Sequence, residues 1–243
     1  MSAIENTSTI IKKDEPNEPE YKKLNNRVKY SFTITYILLI SVATVTAIES
    51  LRTKVLYERH ILNLITCVTL VSAYFYSIFL EKIANSEEKQ INVDWIEISQ
   101  KRYLDWSIST PLLLLILCIF LTSKTNNSVN LASFGIITLL NYFMFYMYYS
   151  GETGDINKNI GFAFGMLSFF ALFFTIYNLY VKNHTSTGNI TLYISFLIIW
   201  LFYGVSYLLD EEYKNLLNNI LDLISKFFIG FGLWMYYSKM ITI

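Results

Sequence analysis

Seven long apolar runs dominate this sequence and limit what it can fold into. Crossing a bilayer as a helix takes about 20 mainly apolar residues, and each run reaches that length. The backbone polar groups of a membrane-spanning segment must be satisfied within the segment, so each run is expected to be a helix. The runs cover residues 28–48, 61–80, 98–121, 129–149, 160–181, 190–209 and 216–238.

Short polar linkers separate the runs, so each helix should pack antiparallel beside the next. The sequence therefore predicts an all-α membrane protein, a seven-transmembrane-helix bundle formed by residues 28–243. Residues 1–27 are polar and charged, and we expect a mostly disordered extension there. No apolar core lies near the start, so we expect no cleavable signal peptide.

The composition argues against several other classes of protein. Hydrophobic residues make up 53% of the chain and the formal net charge is zero, which gives no sign of a nucleic-acid partner. Cys67 and Cys118 lie inside apolar runs, so we expect neither a disulfide nor a nucleophilic role. His60 and His184 have no partner at ligand spacing, so no metal site is predicted. We expect no enzymatic activity.

The charges of the linkers predict how the bundle is oriented. The linker after the first run is basic, and those after the second and sixth runs are acidic. The positive-inside rule then places the first linker in the cytoplasm and the N-terminus outside. A basic cluster before the first run argues for the opposite orientation. This cluster comprises Lys22, Lys23, Arg27 and Lys29.

Charged residues inside the third and seventh runs stand out, because an unpaired charge is costly there and such groups usually mark function. Arg102 and Asp105 are three residues apart in the third run, and Asp222 and Lys226 are four apart in the seventh. Each pair therefore shares a helix face, and the four charges sum to zero. A cluster that only fixes helix register is the alternative interpretation.

The motifs around these charges resemble those of microbial rhodopsins. RYLDWSISTP, in the third run, is similar to the family's third-helix signature, and DLISK, in the seventh, resembles the retinal-attachment motif. The sixth run carries Trp200, Tyr203 and Tyr207 at the family's spacing. SGETG, after the fourth run, resembles a stretch common in proteorhodopsins. Together these matches cover most of the chain.

The resemblance implies a role for each buried charge. Lys226 would bind all-trans retinal as a Schiff base, and Asp105 would be the primary counterion and proton acceptor. Asp222 would be the second counterion, and Arg102 would balance the pair on the extracellular side. These assignments also suit the chemistry, because a protonated Schiff base needs a nearby carboxylate to keep its proton.

The resemblance also implies a retinal pocket. Trp106, Trp200 and Tyr203 would line it, with Pro111 kinking the third helix nearby. Tyr76 would hydrogen-bond Asp222, and a leucine at position 113 implies green absorption. The full set of expected retinal-binding residues is Lys226, Trp106, Trp200, Tyr203, Tyr76, Thr110, Pro111, Leu113 and Tyr207.

Several positions depart from the family's usual pattern. Ile116 stands where many pumps carry the carboxylate that returns a proton to the Schiff base, and an isoleucine cannot titrate. Ser109 replaces a threonine but keeps a hydroxyl for Asp105. Gly204 replaces a proline, which would soften or move the bend of the sixth helix. Phe162 and Phe169 stand where tryptophan is commoner.

Two glutamates near the predicted extracellular side leave their roles open. Glu212 roughly matches a proton-release glutamate, and a solvated loop charge is the plainer interpretation. Glu97 lies five residues before Arg102. It would pair with Arg102 or attract cations, and the sequence does not decide between the two.

These observations favour a light-driven outward proton pump with Asp105 as acceptor. A light-gated cation channel is the alternative suggested by the missing donor at Ile116, and a photosensor with a separate transducer is a third. The residues at Asp105, Ser109 and Ile116 do not match sodium or chloride pumps.

The composition gives a hint about origin, and the resemblance gives one about assembly. The chain is rich in Asn, Ile, Lys, Tyr and Phe, as expected of an AT-rich genome. With the missing donor, this resembles the rhodopsins of giant marine viruses. The resemblance also implies a homo-oligomer, a trimer or a pentamer.

Overall fold

The computed structural model describes residues 20–122, 128–182 and 187–240. Within these ranges seven helices are long and apolar enough to cross a membrane, which confirms the predicted all-α bundle. They are α1 (Glu20–Arg52), α2 (Leu56–Glu88), α3 (Trp95–Thr122), α4 (Leu131–Thr153), α5 (Lys158–Val181), α6 (Thr187–Ser206) and α7 (Glu211–Tyr237).

The first helix starts earlier than the sequence pattern indicates. The α1 helix begins at Glu20, so the end of the predicted polar extension is already helical. The rest of that extension, residues 1–19, lies outside the described residues, as does His184. The boundary at residue 28 marks the point where the chain becomes apolar rather than the point where the helix begins.

Consecutive helices pack side by side, and α1 also contacts α7, which closes the ring. The α4–α5 contact is especially close. A Cβ atom added to Gly161 would lie 2.6 Å from the backbone carbonyl oxygen of Met147. Small residues permit this approach in membrane bundles, where helix association depends on van der Waals packing.

The short loop between α4 and α5 is defined by its capping residues. Gly154 ends α4 with a φ of 83°, a conformation that glycine adopts without a Cβ clash. The side chain of Asn157 then accepts a hydrogen bond from the backbone N–H of Asn159 at the start of α5. This tight turn places α4 and α5 antiparallel.

Two helices contain π-helical turns. The α5 helix ends in one, Tyr177–Val181, and α7 contains another, Leu223–Phe228, which carries Lys226. Such turns are rare and often occur at functional sites. In contrast, α3 continues through Pro111 without ending.

The α6 helix remains helical through Gly204. A Cβ atom at this position would lie 2.8 Å from the sulfur of Met166. The glycine therefore permits close packing of α6 against α5.

Candidate functional site

The four buried charges meet at the centre of the bundle. The Nζ atom of Lys226 lies 2.9 Å from Oδ2 of Asp105 and 3.0 Å from Oδ1 of Asp222. Arg102 Nη1 lies 3.3 Å from the other oxygen of Asp222. All four side chains are at most 2% exposed, so each charge is compensated by neighbours rather than by water.

Asp222 is the more heavily hydrogen-bonded carboxylate. It accepts hydrogen bonds from the hydroxyls of Tyr76 and Tyr203, each at 2.8 Å, in addition to its contacts with Arg102 and Lys226. The structure thus brings Tyr76 onto Asp222, as the resemblance implies. Four donors surround this carboxylate, a setting that favours its ionised form.

Asp105 has fewer partners. Its Oδ2 faces Lys226, and its Oδ1 accepts a hydrogen bond from Ser72 at 2.7 Å. The hydroxyl expected in this role, that of Ser109, is buried and has no hydrogen-bond partner. Sequence reasoning missed Ser72 because a serine in a membrane helix is unremarkable by itself. Its position four residues before Tyr76 was the available signal.

A polar network leads away from this cluster through Arg102. Its Nε donates to Oδ1 of Asn215 at 3.1 Å, and its Nη2 donates to Asn219. The guanidinium also lies over the ring of Phe32, 4.9 Å from the centroid. Buried hydrogen bonds and an aromatic face together hold the arginine in one orientation.

The network continues from Asn215 to Glu211, the first residue of α7. The Asn215 amide donates to the hydroxyl of Ser99 at 3.0 Å, and Ser99 donates to Glu211 at 2.6 Å. Lys214 pairs with Glu211 at 2.5 Å and with Glu152 at 2.9 Å. These side chains define the Glu211 side of Lys226, and three described helices contribute to them.

Neither Glu212 nor Glu97, the two glutamates discussed in the sequence, contacts Arg102 or its network. Glu211, rather than the neighbouring Glu212, carries the contacts of the network, because it faces Ser99 on α3. Glu97 pairs with Lys82 at 2.6 Å and with Lys101 at 2.9 Å. The pairing of Glu97 with Arg102 considered above is therefore not formed.

Lys226 lines a cavity whose walls consist largely of aromatic and apolar side chains. The indole of Trp106 meets the ring of Tyr203 edge-on, with centroids 5.3 Å apart. Besides Lys226, six of the expected pocket residues line this cavity: Trp106, Thr110, Leu113, Trp200, Tyr203 and Tyr207. Pro111 and Tyr76 are not among its lining residues. The sequence did not point to Met144, Phe145 and Tyr148 of α4, which also line it.

The two phenylalanines of α5 have different roles. Phe169 lines the cavity, whereas Phe162 stacks on Tyr207 with ring centroids 6.1 Å apart. Burial, together with the charge of Glu152, raises the pKa of Tyr207 to about 12, so its hydroxyl stays protonated. Tyr207 thus lines the cavity as a neutral aromatic group.

The geometry fits a rigid, flat, largely apolar molecule attached to Lys226. The indole Nε1 of Trp106, which lines the cavity beside Lys226, is buried and has no hydrogen-bond partner. A largely apolar cavity with a few polar groups is typical of a cofactor site. Retinal, the cofactor implied by the motifs, has this shape and needs a lysine amine at one end.

Comparisons with known proteins identify the family of this chain. A model of the family "Bacteriorhodopsin-like protein" matches residues 26–241. The crystal structure of the viral rhodopsin OLPVRII is 40% identical, with a TM-score of 0.81, and the match covers 88% of this chain and 99% of that one. No curated protein sequence gives a significant match.

More distant structures share the fold alone. The proton-pumping rhodopsin AR2 of the marine alga Acetabularia acetabulum is 18% identical, with a TM-score of 0.67 and coverage of 92% and 97%. Halorhodopsin, a light-driven chloride pump, is 16% identical, with a TM-score of 0.66 and coverage of 88% and 95%. The fold therefore does not identify the transported ion. By its family match and its viral relative, this chain belongs to the bacteriorhodopsin-like family, whose members bind retinal through a Schiff-base lysine.

Proposed function

We propose that this protein is a light-driven outward proton pump in which Asp105 accepts the proton of the Lys226 nitrogen. The observation that carries the proposal is the 2.9 Å contact between Lys226 Nζ and Asp105 Oδ2. At this distance a proton passes directly between the two atoms. Retinal, bound to Lys226 as a Schiff base, supplies the absorption of light and the isomerisation that drives the transfer.

The difference between the two carboxylates supports Asp105 as the acceptor. Asp222 receives hydrogen bonds from Tyr76 and Tyr203 and pairs with Arg102, so its negative charge is well stabilised. Asp105 lacks these donors and has one serine hydroxyl besides Lys226. A proton that leaves the lysine nitrogen therefore goes to Asp105, while Asp222 stays ionised.

The exit route is inferred from the polar network on the Glu211 side. Arg102, Asn215 and Ser99 connect the cluster to Glu211, whose side chain is 27% exposed. A partly exposed carboxylate at the end of a buried polar chain is suited to pass protons to water. We infer that this side is extracellular, as the basic loop between α1 and α2 indicates.

The route back to the lysine nitrogen is poorly equipped. Ile116 and its neighbour Leu117 are buried, at 1% and 0% exposure. Neither side chain can carry a proton, so we expect the return step to be slow and to set the length of the cycle.

Illumination of cells or liposomes that contain the retinal-loaded protein tests the pump. The expected result is a light-induced pH change that a protonophore abolishes, and that is lost in Asp105→Asn. An unchanged pH in wild type under illumination, with the pigment intact, would rule out pumping.

A light-gated cation channel is the second candidate. The observation in its favour is a pair of hydroxyls, on Thr46 of α1 and Thr66 of α2, which are 2.8 Å apart inside the half of the bundle that holds Ile116. Polar atoms between these helices would line an ion path. Patch-clamp recording separates the two functions, because channel current reverses sign with voltage and pump current stays outward.

The protein is an integral multi-pass membrane protein, since it has seven spans within the described ranges. We infer that its N-terminus is extracellular and its C-terminus cytoplasmic, and we expect a homo-oligomer, a trimer or a pentamer. Protease accessibility of tagged termini tests the first inference. Mass measurement in nanodiscs or native detergent tests the second.

A further inference from the structure

Two serines lie near Asp105, and they are used differently. Ser72, on α2, donates its hydroxyl proton to Oδ1 of Asp105 at 2.7 Å, and both residues are fully buried. Ser109 is one turn after Asp105 on α3, and its buried hydroxyl has no partner. The carboxylate is therefore held by a neighbouring helix and not by its own.

The contact with Ser72 fixes how the carboxylate faces Lys226. Oδ1 of Asp105 is bound to Ser72, and Oδ2 lies 2.9 Å from Lys226 Nζ. A planar carboxylate with one oxygen on each partner cannot rotate about its Cβ–Cγ bond without losing a contact. Three helices, α2, α3 and α7, thus meet at this one group.

The same face of α2 serves both carboxylates. Ser72 and Tyr76 are four residues apart, so they project from one side of the helix. Ser72 donates to Asp105, and Tyr76 donates to Asp222 at 2.8 Å. Asp222 keeps other donors without Tyr76. Among the described residues, Asp105 receives a side-chain hydroxyl only from Ser72.

We propose that Ser72 is a positioning residue for the proton acceptor: it stabilises the charge of Asp105 and keeps Oδ2 directed at the Lys226 nitrogen. The inference rests on the proposed role of Asp105. The charged groups around Asp105 are Lys226 and Asp222 of α7 and Arg102 of α3. These remain when Ser72 is changed, so the effect of the hydroxyl can be measured separately.

A titration of colour in the dark tests this proposal. Protonation of Asp105 removes a negative charge beside the lysine nitrogen, so the absorption moves to longer wavelength. Without the Ser72 hydroxyl the carboxylate charge is less stabilised, and the midpoint of the colour change should rise by about one pH unit in Ser72→Ala. Ser72→Thr, which keeps the hydroxyl, should restore the wild-type midpoint.

Ser109→Ala is the matched control, because it removes a buried hydroxyl of the same size from the same region. Its midpoint should equal that of wild type, and Asp105→Asn should remove the titration and so identify the group that titrates. A wild-type midpoint in Ser72→Ala, or an equal rise in Ser109→Ala, would overturn the proposal.

An infrared measurement gives an independent test. In the protonated acid, Ser72 donates to the carbonyl oxygen of Asp105, which lowers the C=O stretching frequency. The band that Asp105→Asn removes should therefore move to higher frequency in Ser72→Ala and stay in place in Ser109→Ala. If Ser72→Ala forms no pigment, Ser72→Cys, a weaker donor, should give an intermediate shift, and an unshifted band in Ser72→Cys would contradict the proposal. Both tests run without proton transport, so a failure to pump leaves them interpretable.

Discussion

The two sides of Lys226 differ in what a proton meets there. On the Glu211 side, Arg102, Asn215 and Ser99 form an unbroken series of hydrogen bonds that ends at a partly exposed carboxylate. On the other side, which we call the Ile116 side, the buried stretch of α3 next to Lys226 is largely apolar. It includes Leu113, Ile116 and Leu117, all at most 2% exposed.

For the proposed pump, this difference means that unequal access on the two sides, and not the buried charges alone, sets the direction of transport. The charges at the centre are balanced within one cluster, which favours neither side. Hydrogen-bonding groups lower the cost of moving a proton on the Glu211 side. On the Ile116 side a proton must cross a layer of hydrocarbon, so return is expected to be slower than release.

The largest effect is expected from breaking the buried ion pairs of the Glu211 side. Lys214→Met removes the cation from Glu152, whose side chain is only 5% exposed. An uncompensated buried charge destabilises a protein by about 3–5 kcal/mol, so the pigment should bleach at a clearly lower temperature. Thermal bleaching in detergent measures this change.

A double variant separates the loss of charge balance from the loss of packing. Glu152→Gln combined with Lys214→Met removes both members of the pair and should recover most of the lost stability. If the double variant is no more stable than Lys214→Met, the buried pair is not the cause of the destabilisation.

The next effect concerns the proposed proton acceptor. Asp105→Asn keeps the size of the side chain and removes its ability to take a proton. General-base catalysis of proton transfer is worth about 100-fold or more, so the light-induced loss of the proton from Lys226 should slow at least to that extent. Time-resolved absorption after a flash measures it. Asp210→Asn, at the surface near α7, is the control, and an equal slowing there would contradict the assignment.

The buried charges and the apolar position Ile116 could be predicted from the sequence, because charged residues are rare in apolar helices. Asp105 and Lys226 stand out for this reason, and their spacing from Arg102 and Asp222 predicts shared helix faces. Ile116 also stands out, because the matching position of related pumps often carries a carboxylate. Helix-forming runs and the all-α fold follow from length and hydropathy.

The partners that connect these charges could not be predicted in the same way. Ser72, Asn215 and Asn219 are neutral, and neutral polar residues are common in membrane helices. Asn215 contacts Arg102 across 113 positions of the chain, a separation over which helix periodicity carries no information. The sequence does not show that Glu211, rather than its neighbour Glu212, contacts the network, because one residue of rotation in the first turn of α7 decides which side chain faces α3.

A carboxyl group placed on the Ile116 side should remove the difference between the two sides. Ile116→Asp introduces an acid into an apolar layer, where it stays neutral until it gives up its proton. The return of the proton to Lys226 should then be faster by about tenfold or more, which is less than the roughly 100-fold that a well-positioned general acid contributes. Time-resolved infrared spectroscopy can follow the recovery of ionised Asp105 and of the dark state.

Ile116→Asn is the matched control for this variant, since it adds polarity without a titratable proton. If it accelerates recovery as much as Ile116→Asp does, hydration of the layer and not acid catalysis explains the slow return. If neither variant changes the rate, the Ile116 side is not the rate-limiting path, and the comparison between the two sides fails.

The smallest effect is expected at the end of the exit route. Glu211→Gln keeps the size of the side chain and its ability to accept from Ser99, but it removes the charge that faces Lys214. Release to water should be delayed by a few fold rather than abolished, because Glu152 stays beside Lys214 and still provides a carboxylate. A pH-sensitive dye in the medium measures when the proton appears after a flash.

Glu212→Gln should leave that time unchanged, because Glu211 is the residue that contacts the network. A delay in Glu212→Gln with none in Glu211→Gln would mean that protons leave by the exposed loop, and that the buried chain from Arg102 to Glu211 holds the helices together without carrying the proton.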